Sequence, residues 1–292
     1  MLNAIFRSMR LRQWVKNGLL FAGLVFDRQL NNWPAVLTVL QGFLAYGLVS
    51  SGVYLMNDLI DLKQDKAHPK KRLRPIAAGE LPISIARWTA AILIMAGLGM
   101  GFILSPEFAS IAFFALVLNL AYSLKLKHIP IVDVIVLAGF YVIRVAAGVA
   151  LVSVDRFSPW LYVFTTFAAL FMGVGKRRAE INMADHSAGK TRKVLAGYTS
   201  EFLDQFLLAV LTLAILTYSL YTFSAPNLPE NHSMMLTIPF VIYGFFRYLY
   251  LVQVERSGEA PEEILYQDRP IQYTLLLWGL AVLIIFYIFT GA

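Results

Sequence analysis

The chain has 292 residues, of which 58% are hydrophobic and only 15% charged, with a mean hydropathy of +0.64. Soluble domains average roughly 45–50% apolar and about 25% charged, so the composition excludes an ordinary soluble domain and points to an integral membrane protein. There is no cysteine, which excludes disulfides, thiolate nucleophiles, zinc–thiolate and iron–sulfur centres; four widely spaced histidines, His68, His128, His186 and His232, argue against a haem or a histidine-rich metal site.

In chain order, residues 5–16 (IFRSMRLRQWVK) come first, four basic residues among bulky apolar ones, and suit a short amphipathic helix lying on anionic headgroups. Residues 22–32 offer no convincing small-residue cleavage site, so the segment reads as retained rather than as a signal peptide. Apolar runs then predict about nine membrane-crossing helices, near Gly18–Leu30, Ala35–Met56, Ile83–Leu104, Glu107–Leu124, Val132–Val152, Pro159–Val174, Phe202–Phe223, Met235–Val254 and Ile271–Thr290. No low-complexity stretch or Pro/Gly-rich linker divides them. The expectation is an all-α polytopic membrane protein with residues 1–292 in one domain. The second and sixth helices both run into long charged loops, a faint internal parallel consistent with two four-helix halves plus a last helix.

Lys and Arg retained on the cytoplasmic side set topology. With nine helices the N-terminal segment shares its side with the loops around 57–82, 125–131, 175–199 and 247–270, and these hold 21 of the 25 Lys and Arg. The N-terminus is therefore expected in the cytoplasm and the C-terminus outside, in the cytoplasmic membrane. A net charge of +7 is then explained by topology and anionic ligands, with no nucleic acid implied. Trp14, Trp33, Trp88 and Trp160 fall near helix ends, where indole rings favour the headgroup layer; Trp278 falls mid-helix, without such a reason.

The strongest signal is residues 54–79, YLMNDLIDLKQDKAHPKKRLRPIAAG. If the helix of Ala35–Met56 continues past the interface, Asp58, Asp61 and Asp65 stand at i, i+3 and i+7, within an arc of about 60°. Such carboxylates repel one another unless a cation sits between them, and hard oxygen donors without histidine or thiolate favour Mg²⁺, commonly bound together with substrate phosphates. Acidic residues do nothing for topology, which makes Asn57, Asp58, Asp61 and Asp65 more informative than the basic residues beside them. Pro69 stops the helix, and Lys70, Lys71, Arg72 and Arg74 are free to bend back, so acidic stripe and basic turn together make a site for a metal-bound diphosphate. His68 alone is uninformative.

Further along, Lys125 and Lys127 follow Tyr122 at the end of the fourth helix, within reach of a phosphate or serving only as a cytoplasmic anchor. Asp133 and Arg144 lie eleven residues apart, about 16 Å on nearly one helix face, which puts Arg144 well inside the bilayer. A structural salt bridge is its default role, contact with a lipid phosphate the second. Ser50, Ser51, Gly52, Gly139, Ala146, Ala147 and Gly148 are expected to permit close helix packing.

The run NDLIDLKQD resembles the NDxxDxxxD motif of the UbiA-type intramembrane prenyltransferase superfamily. The longer NDLIDLKQDKAHPKKRLRPIAAGELP, with YSLKLKHIPIVDVIVLAGFYVIRVAAG, GKRRAEI, KTRKVLAGYT, FFRYLYLV and YQDRP, is similar to its decaprenyl-phosphate phosphoribosyltransferase branch. The resemblance spans nearly the whole chain and implies nine helices around a central cavity open to the cytoplasm. It further implies Mg-dependent transfer of 5-phosphoribosyl from phosphoribosyl diphosphate to a polyprenyl phosphate drawn from the membrane lipid. In that reading Asp58, Asp61 and Asp65 are the metal ligands, with Asp58, Asp61 and Glu180 the catalytic carboxylates. Asn57, Lys70, Arg72, Arg74, Tyr122, Lys125, Arg144, Lys176, Arg177 and Arg192 bind substrate.

The chain departs from typical prenyl-diphosphate users at the sixth-helix loop. Where they carry a second aspartate-rich motif, it reads GKRRAEINMADHSAGKTRK, with Glu180 and Asp185 against Lys176, Arg177, Arg178, Lys190, Arg192 and Lys193. Fixed positive charge of this kind suits a donor carrying a 5-phosphate as well as a diphosphate, although topology alone also predicts a basic loop. Glu180 is left open between orienting a ribose hydroxyl, ligating metal and balancing Lys176. An aromatic prenyltransferase using the same first metal site, and a transporter, are the competing classes; the first would favour an acidic second loop, the second polar sites at the membrane midplane. The topology predicts that cysteines introduced at Asn227 and Ser187 label with an impermeant thiol reagent from outside and from the cytoplasm, respectively; labelling of both from one side overturns the nine-helix reading.

Overall fold

The computed structural model describes residues 1–152, 158–184, 193–225, 228–255, 264 and 267–287. Among these the protein is all-helical: α1 (Leu2–Met9), α2 (Ala22–Phe26), α3 (Trp33–Ile60), α4 (Leu62–Ala67), α5 (Ile83–Leu104), α6 (Pro106–Leu124), α7 (Val132–Val149), α8 (Pro159–Ala184), α9 (Ser200–Ser224), α10 (Ile238–Gln253) and α11 (Arg269–Tyr287). Capping follows the sequence. Asn32, Ser105 and Thr199 accept the N–H of Ala35, Phe108 and Phe202 at the starts of α3, α6 and α9, with Pro34 and Pro106 in first turns where no N–H is needed.

Seven helical segments among the described residues are long and apolar enough to cross a membrane: α3, α5, α6, α7, α9, residues Ser233–Gln253 and α11. Two of the nine expected runs differ. Gly18–Leu30 is not one helix, because residues Leu11–Phe21 wind as 3₁₀ before the short α2. The run Pro159–Val174 is helical throughout, within α8, but stands outside the seven because the helix ends in a Lys–Arg cluster and carries two threonines amid its apolar part. Side chains such as Ile92, Met95, Phe102 and Ile103 of α5 are 63–85% exposed, a surface suited to lipid. Asn227, Ser187, Asp185, Lys190 and Arg192 lie outside the described residues.

The described chain gathers into two compact units. In the first, residues 1–25, 29–126 and 143–154, α3 packs along α5 at very close range. A Cβ at Gly97 would come within 2.6 Å of the Ala45 carbonyl oxygen, and one at Gly52 within 2.9 Å of that of Ala90. The 3₁₀ segment lies on the same unit: the Trp14 ring covers Gly47, and Gly148 of α7 leaves room for the Leu20 carbonyl. Close packing was expected at Gly52 and Gly148; Gly139, grouped with them, has open space around its Cβ position. Arg144 donates from Nε to Asn17 Oδ1 at 2.9 Å and lies over the Tyr46 ring, so its partner is the N-terminal segment.

The second unit, residues 26–28, 127–142 and 155–292, is built on the α8–α9 pair. Its core joins Val134, Phe171, Val174, Leu203, Leu207 and Val252. Trp278, unaccounted for by position, donates its indole N–H to the Tyr218 hydroxyl at 2.8 Å, which also bonds Thr237 at 2.6 Å. Helix contact without a Cβ predicts that Gly97→Val, which must push backbone aside, costs about 1–3 kcal/mol. A lowered thermal transition in detergent checks this, with Gly99→Ala, whose site is open, unchanged.

Candidate active site

In the first unit the acidic run stands at the end of α3, a helix made long by its apolar sequence and ended at Ile60, two residues past the first charge, Asp58. The expected single continuous helix is corrected. Asp61 takes φ −87° and ψ 6°, ending α3, and α4 resumes at Leu62, although Asp61 N–H still bonds Asn57 and Asp65 N–H bonds Asp61. The break is slight enough that Asp58 and Asp65 still converge. α4 ends at His68 before Pro69, as the proline requires, and His68 Nδ1 accepts the N–H groups of Lys70 and Lys71 at 3.2 and 3.3 Å to cap the turn. Burial, then the Lys71 charge, hold this imidazole below its ordinary pKa, which keeps the capping nitrogen unprotonated near neutral pH.

The turn brings Arg74 back as its charge pattern implies. Its Nη1 donates to Asp65 Oδ2 at 2.6 Å and to Asp58 Oδ1 at 3.1 Å, so one nitrogen holds both carboxylates. Asp58 also accepts from Arg10 Nη2 at 2.5 Å, and the Arg10 guanidinium lies over the Tyr54 ring. Both aspartates are only 2% exposed, whereas Asp61 is half-buried. Asn57 is fixed from α6, donating to Asn119 Oδ1 at 3.0 Å and accepting from Ser123 Oγ at 2.7 Å. Tyr122 is half-buried beside Ser123, while Lys70, Arg72 and Lys125 are exposed at the helix ends.

Three residues expected at the site, Asp58, Asp65 and Arg74, are thus joined by direct bonds, while Asn57 is bonded to α6 instead. Arg10, Asn119 and Ser123 were missed. Arg10 and Asn119 are 48 and 62 residues from their partners, too far for helical spacing to connect them. Arg10 ends α1 with φ +52°, a left-handed conformation that turns the chain after that helix, and Arg7 ties α1 to Glu80 at 2.7 Å.

In the second unit Arg177 is fully enclosed. Its Nε donates to Asp133 Oδ2 at 2.5 Å and its Nη1 to Glu180 Oε2 at 2.7 Å. Asp133 Oδ1 accepts from the Tyr198 hydroxyl at 2.6 Å, and that oxygen accepts the N–H of Ile131, a β-branched residue held at φ +68°. Burial and the bond to Asp133 push the Tyr198 phenol well above its usual pKa, so it stays a donor. Arg178 is bound to Asp204 at 2.8 Å and to Asn182. The basic loop expected to meet a phosphate therefore directs two of its cations inward. Lys176 is half-buried, and Arg177 acts by fixing Glu180, which keeps a 15% exposed side chain.

Hard carboxylate oxygens drawn onto one cationic nitrogen are a donor set suited to a divalent ion of the Mg²⁺ type, with Arg74 standing where positive charge is wanted. Among the described residues no three His, Asp or Glu side chains already form a closed metal cage.

Described residues that are all-helical, with seven helical segments long and apolar enough to cross a membrane and a charged cluster at the end of one, are those of a multi-pass membrane protein. Residues 19–266 match the UbiA prenyltransferase family, and the chain belongs to that family of membrane transferases. It is 34% identical to the decaprenyl-phosphate phosphoribosyltransferase of Mycobacterium tuberculosis over 94% of this chain and 91% of that protein. To the protein of the same name from Mycolicibacterium smegmatis it is 31% identical, over 95% and 91%. A UbiA homolog from Archaeoglobus fulgidus bound to GPP and Mg²⁺ shares the fold, with a TM-score of 0.72 over 98% of this chain and all of that one, at 18% identity.

The buried pair predicts that Asp133→Asn, which takes one carboxylate charge from the enclosed Arg177 while Glu180 remains, destabilises the protein by up to about 3–5 kcal/mol. Joint replacement of Asp133 and Arg177 by apolar residues should recover much of that, measured as a double-mutant cycle in thermal or denaturant unfolding.

Proposed function

We propose that the protein transfers the 5-phosphoribosyl group of phosphoribosyl diphosphate to a polyprenyl phosphate, decaprenyl phosphate or one like it, releasing diphosphate in a Mg²⁺-dependent reaction. The observation that carries this is the pairing of Asp58 and Asp65 on one cation beside a basic turn, in a chain whose full-length relatives bear the name decaprenyl-phosphate phosphoribosyltransferase. The family match across 19–266 covers parts of both compact units and supports one functional domain. The one-sided Lys and Arg support a cytoplasmic N-terminus, an outside C-terminus and a cavity open to the cytoplasm, in a bundle of about nine helices.

Asp58, Asp61 and Asp65 would hold the divalent ion, which when bound would supply positive charge for the departing diphosphate. Asn57, locked by Asn119 and Ser123, keeps the end of α3 in register so that Asp58 faces the ligand. Arg74, Lys70 and Arg72 supply charge-assisted donors for diphosphate oxygens. The bond from C1 of the ribose to the diphosphate oxygen breaks as the bond from C1 to a lipid phosphate oxygen forms, through a state with oxocarbenium character. The lipid phosphate is already anionic, so the attack depends on positioning rather than on a general base. Lys176 takes the 5-phosphate, and Glu180, steadied by Arg177, meets the ribose. Tyr122, Lys125, Arg144 and Arg192 complete the substrate contacts in this reading.

The test offers purified protein with Mg²⁺ either phosphoribosyl diphosphate plus polyprenyl phosphate, or prenyl diphosphate plus an aromatic acid. Product from the first pair alone is expected; product from the second alone overturns the proposal. Asp58→Asn and Asp61→Asn should each lower turnover by orders of magnitude at limiting Mg²⁺ with the fold intact, Asp65→Asn the least. Lys176→Ala should raise KM for phosphoribosyl diphosphate about ten- to a hundredfold with that for the lipid nearly unchanged.

A further inference from the structure

Asp58 and Asp65 are buried, and each carries its counter-ion already: Arg74 Nη1 touches both, and Arg10 Nη2 touches Asp58. Two guanidinium groups thus engage one oxygen of each carboxylate, Asp58 Oδ1 and Asp65 Oδ2, and neutralise the charge on which a divalent ion depends. Neither side chain is a mobile surface lysine. The Arg10 and Arg74 side chains are 24% and 28% exposed, and each is held in place, Arg74 by one nitrogen bridging two carboxylates and Arg10 over the Tyr54 ring. A bare cation entering here must displace these guanidinium groups and leave them near a dication in a half-buried place, where like charges repel strongly. A cation arriving with a diphosphate brings the anionic oxygens to which a displaced guanidinium can turn.

We infer that Arg74 is the resident counter-ion of Asp58 and Asp65 and exchanges partners on donor binding, so that the divalent ion is taken up as its complex with the diphosphate and held weakly without it. This rests on the metal–diphosphate reading of the site but not on which group the diphosphate carries. No covalent step is involved. One guanidinium leaves two carboxylates for phosphate oxygens while the divalent ion takes its place, and the additional positive charge is balanced by the diphosphate that arrives with it. The lack of a three-ligand cage among the described residues agrees with a site completed only by the ligand's own oxygens.

The two roles of Arg74 pull apart in a binding experiment. Mn²⁺ serves as probe, its free hexaaquo form counted by electron paramagnetic resonance in full-length protein in detergent, with and without inorganic diphosphate or phosphoribosyl diphosphate. The unsubstituted protein should bind Mn²⁺ alone weakly, and either diphosphate should tighten it at least tenfold. Arg74→Gln should bind Mn²⁺ alone about tenfold more tightly than the unsubstituted protein and lose most of the tightening by diphosphate, two changes of opposite sign. Arg74→Lys, which keeps the positive charge, should restore weak binding of the bare ion. A purely structural Arg74 would weaken both measurements together, and that result, or unchanged Mn²⁺ affinity in Arg74→Gln, overturns the inference. If Arg74→Gln has no cooperative thermal transition, Arg10→Gln removes the second cation from Asp58 and must tighten bare Mn²⁺ binding in the same direction; unchanged binding there overturns the inference equally. Tightening by inorganic diphosphate but not by phosphoribosyl diphosphate leaves the exchange standing and removes the proposed donor.

Discussion

Ionised groups at the end of an apolar helix must be paired, and that constraint organises both compact units. A carboxylate in a poorly hydrated setting costs several kcal/mol unless a cation and further hydrogen bonds answer it. The first unit meets this with Arg74 across Asp58 and Asp65, the second with Arg177 across Asp133 and Glu180. The two solutions differ in access. Arg177 is sealed and bound to groups that do not leave, so it serves rigidity and the placing of Glu180. Arg74 is partly open and holds carboxylates that attract metal, so its pairing is exchangeable.

The difference bears on the two charged loops. Asp58 and Asp65 converge because an α-helix repeats every 3.6 residues, and that pairing was legible from spacing alone. The slight break at Asp61 was not, since nothing in Asp-Leu-Lys opposes a helix. The basic character of GKRRAE was equally plain, but its direction was not: in a helix Arg177 and Lys176 point about 100° apart, and only the fold decides which meets Asp133. The 44-residue separation of Asp133 and Arg177 is invisible to local periodicity.

For the fold, hydropathy found the long spans because a bilayer needs about 20 apolar residues, and seven of these stand as helices among the described residues. It misread Gly18–Leu30, where composition is apolar yet the backbone winds partly as 3₁₀, a choice set by packing of Trp14 on Gly47 and of Leu20 on Gly148. Small residues were read as packing sites with mixed success for the same reason: Gly52 and Gly148 meet backbone, and Gly139 has open space around its Cβ position. Arg144 was seen to need a partner, but Asn17 lies 127 residues away, and Trp278 gained its reason only from Tyr218 on another helix.

The N-terminal segment has a consequence of another kind. By composition it is an anchor, a few basic and apolar residues of the sort usually exchanged freely when a membrane protein is fused to a reporter or trimmed for expression. Here α1 is stitched to Glu80 through Arg7, and the residue that ends it, Arg10, reaches the buried carboxylate of Asp58. A detergent or a fusion partner that displaces α1 therefore displaces a cation from the acidic site, 48 residues further along the chain, and the choice of detergent and tag position becomes a chemical variable.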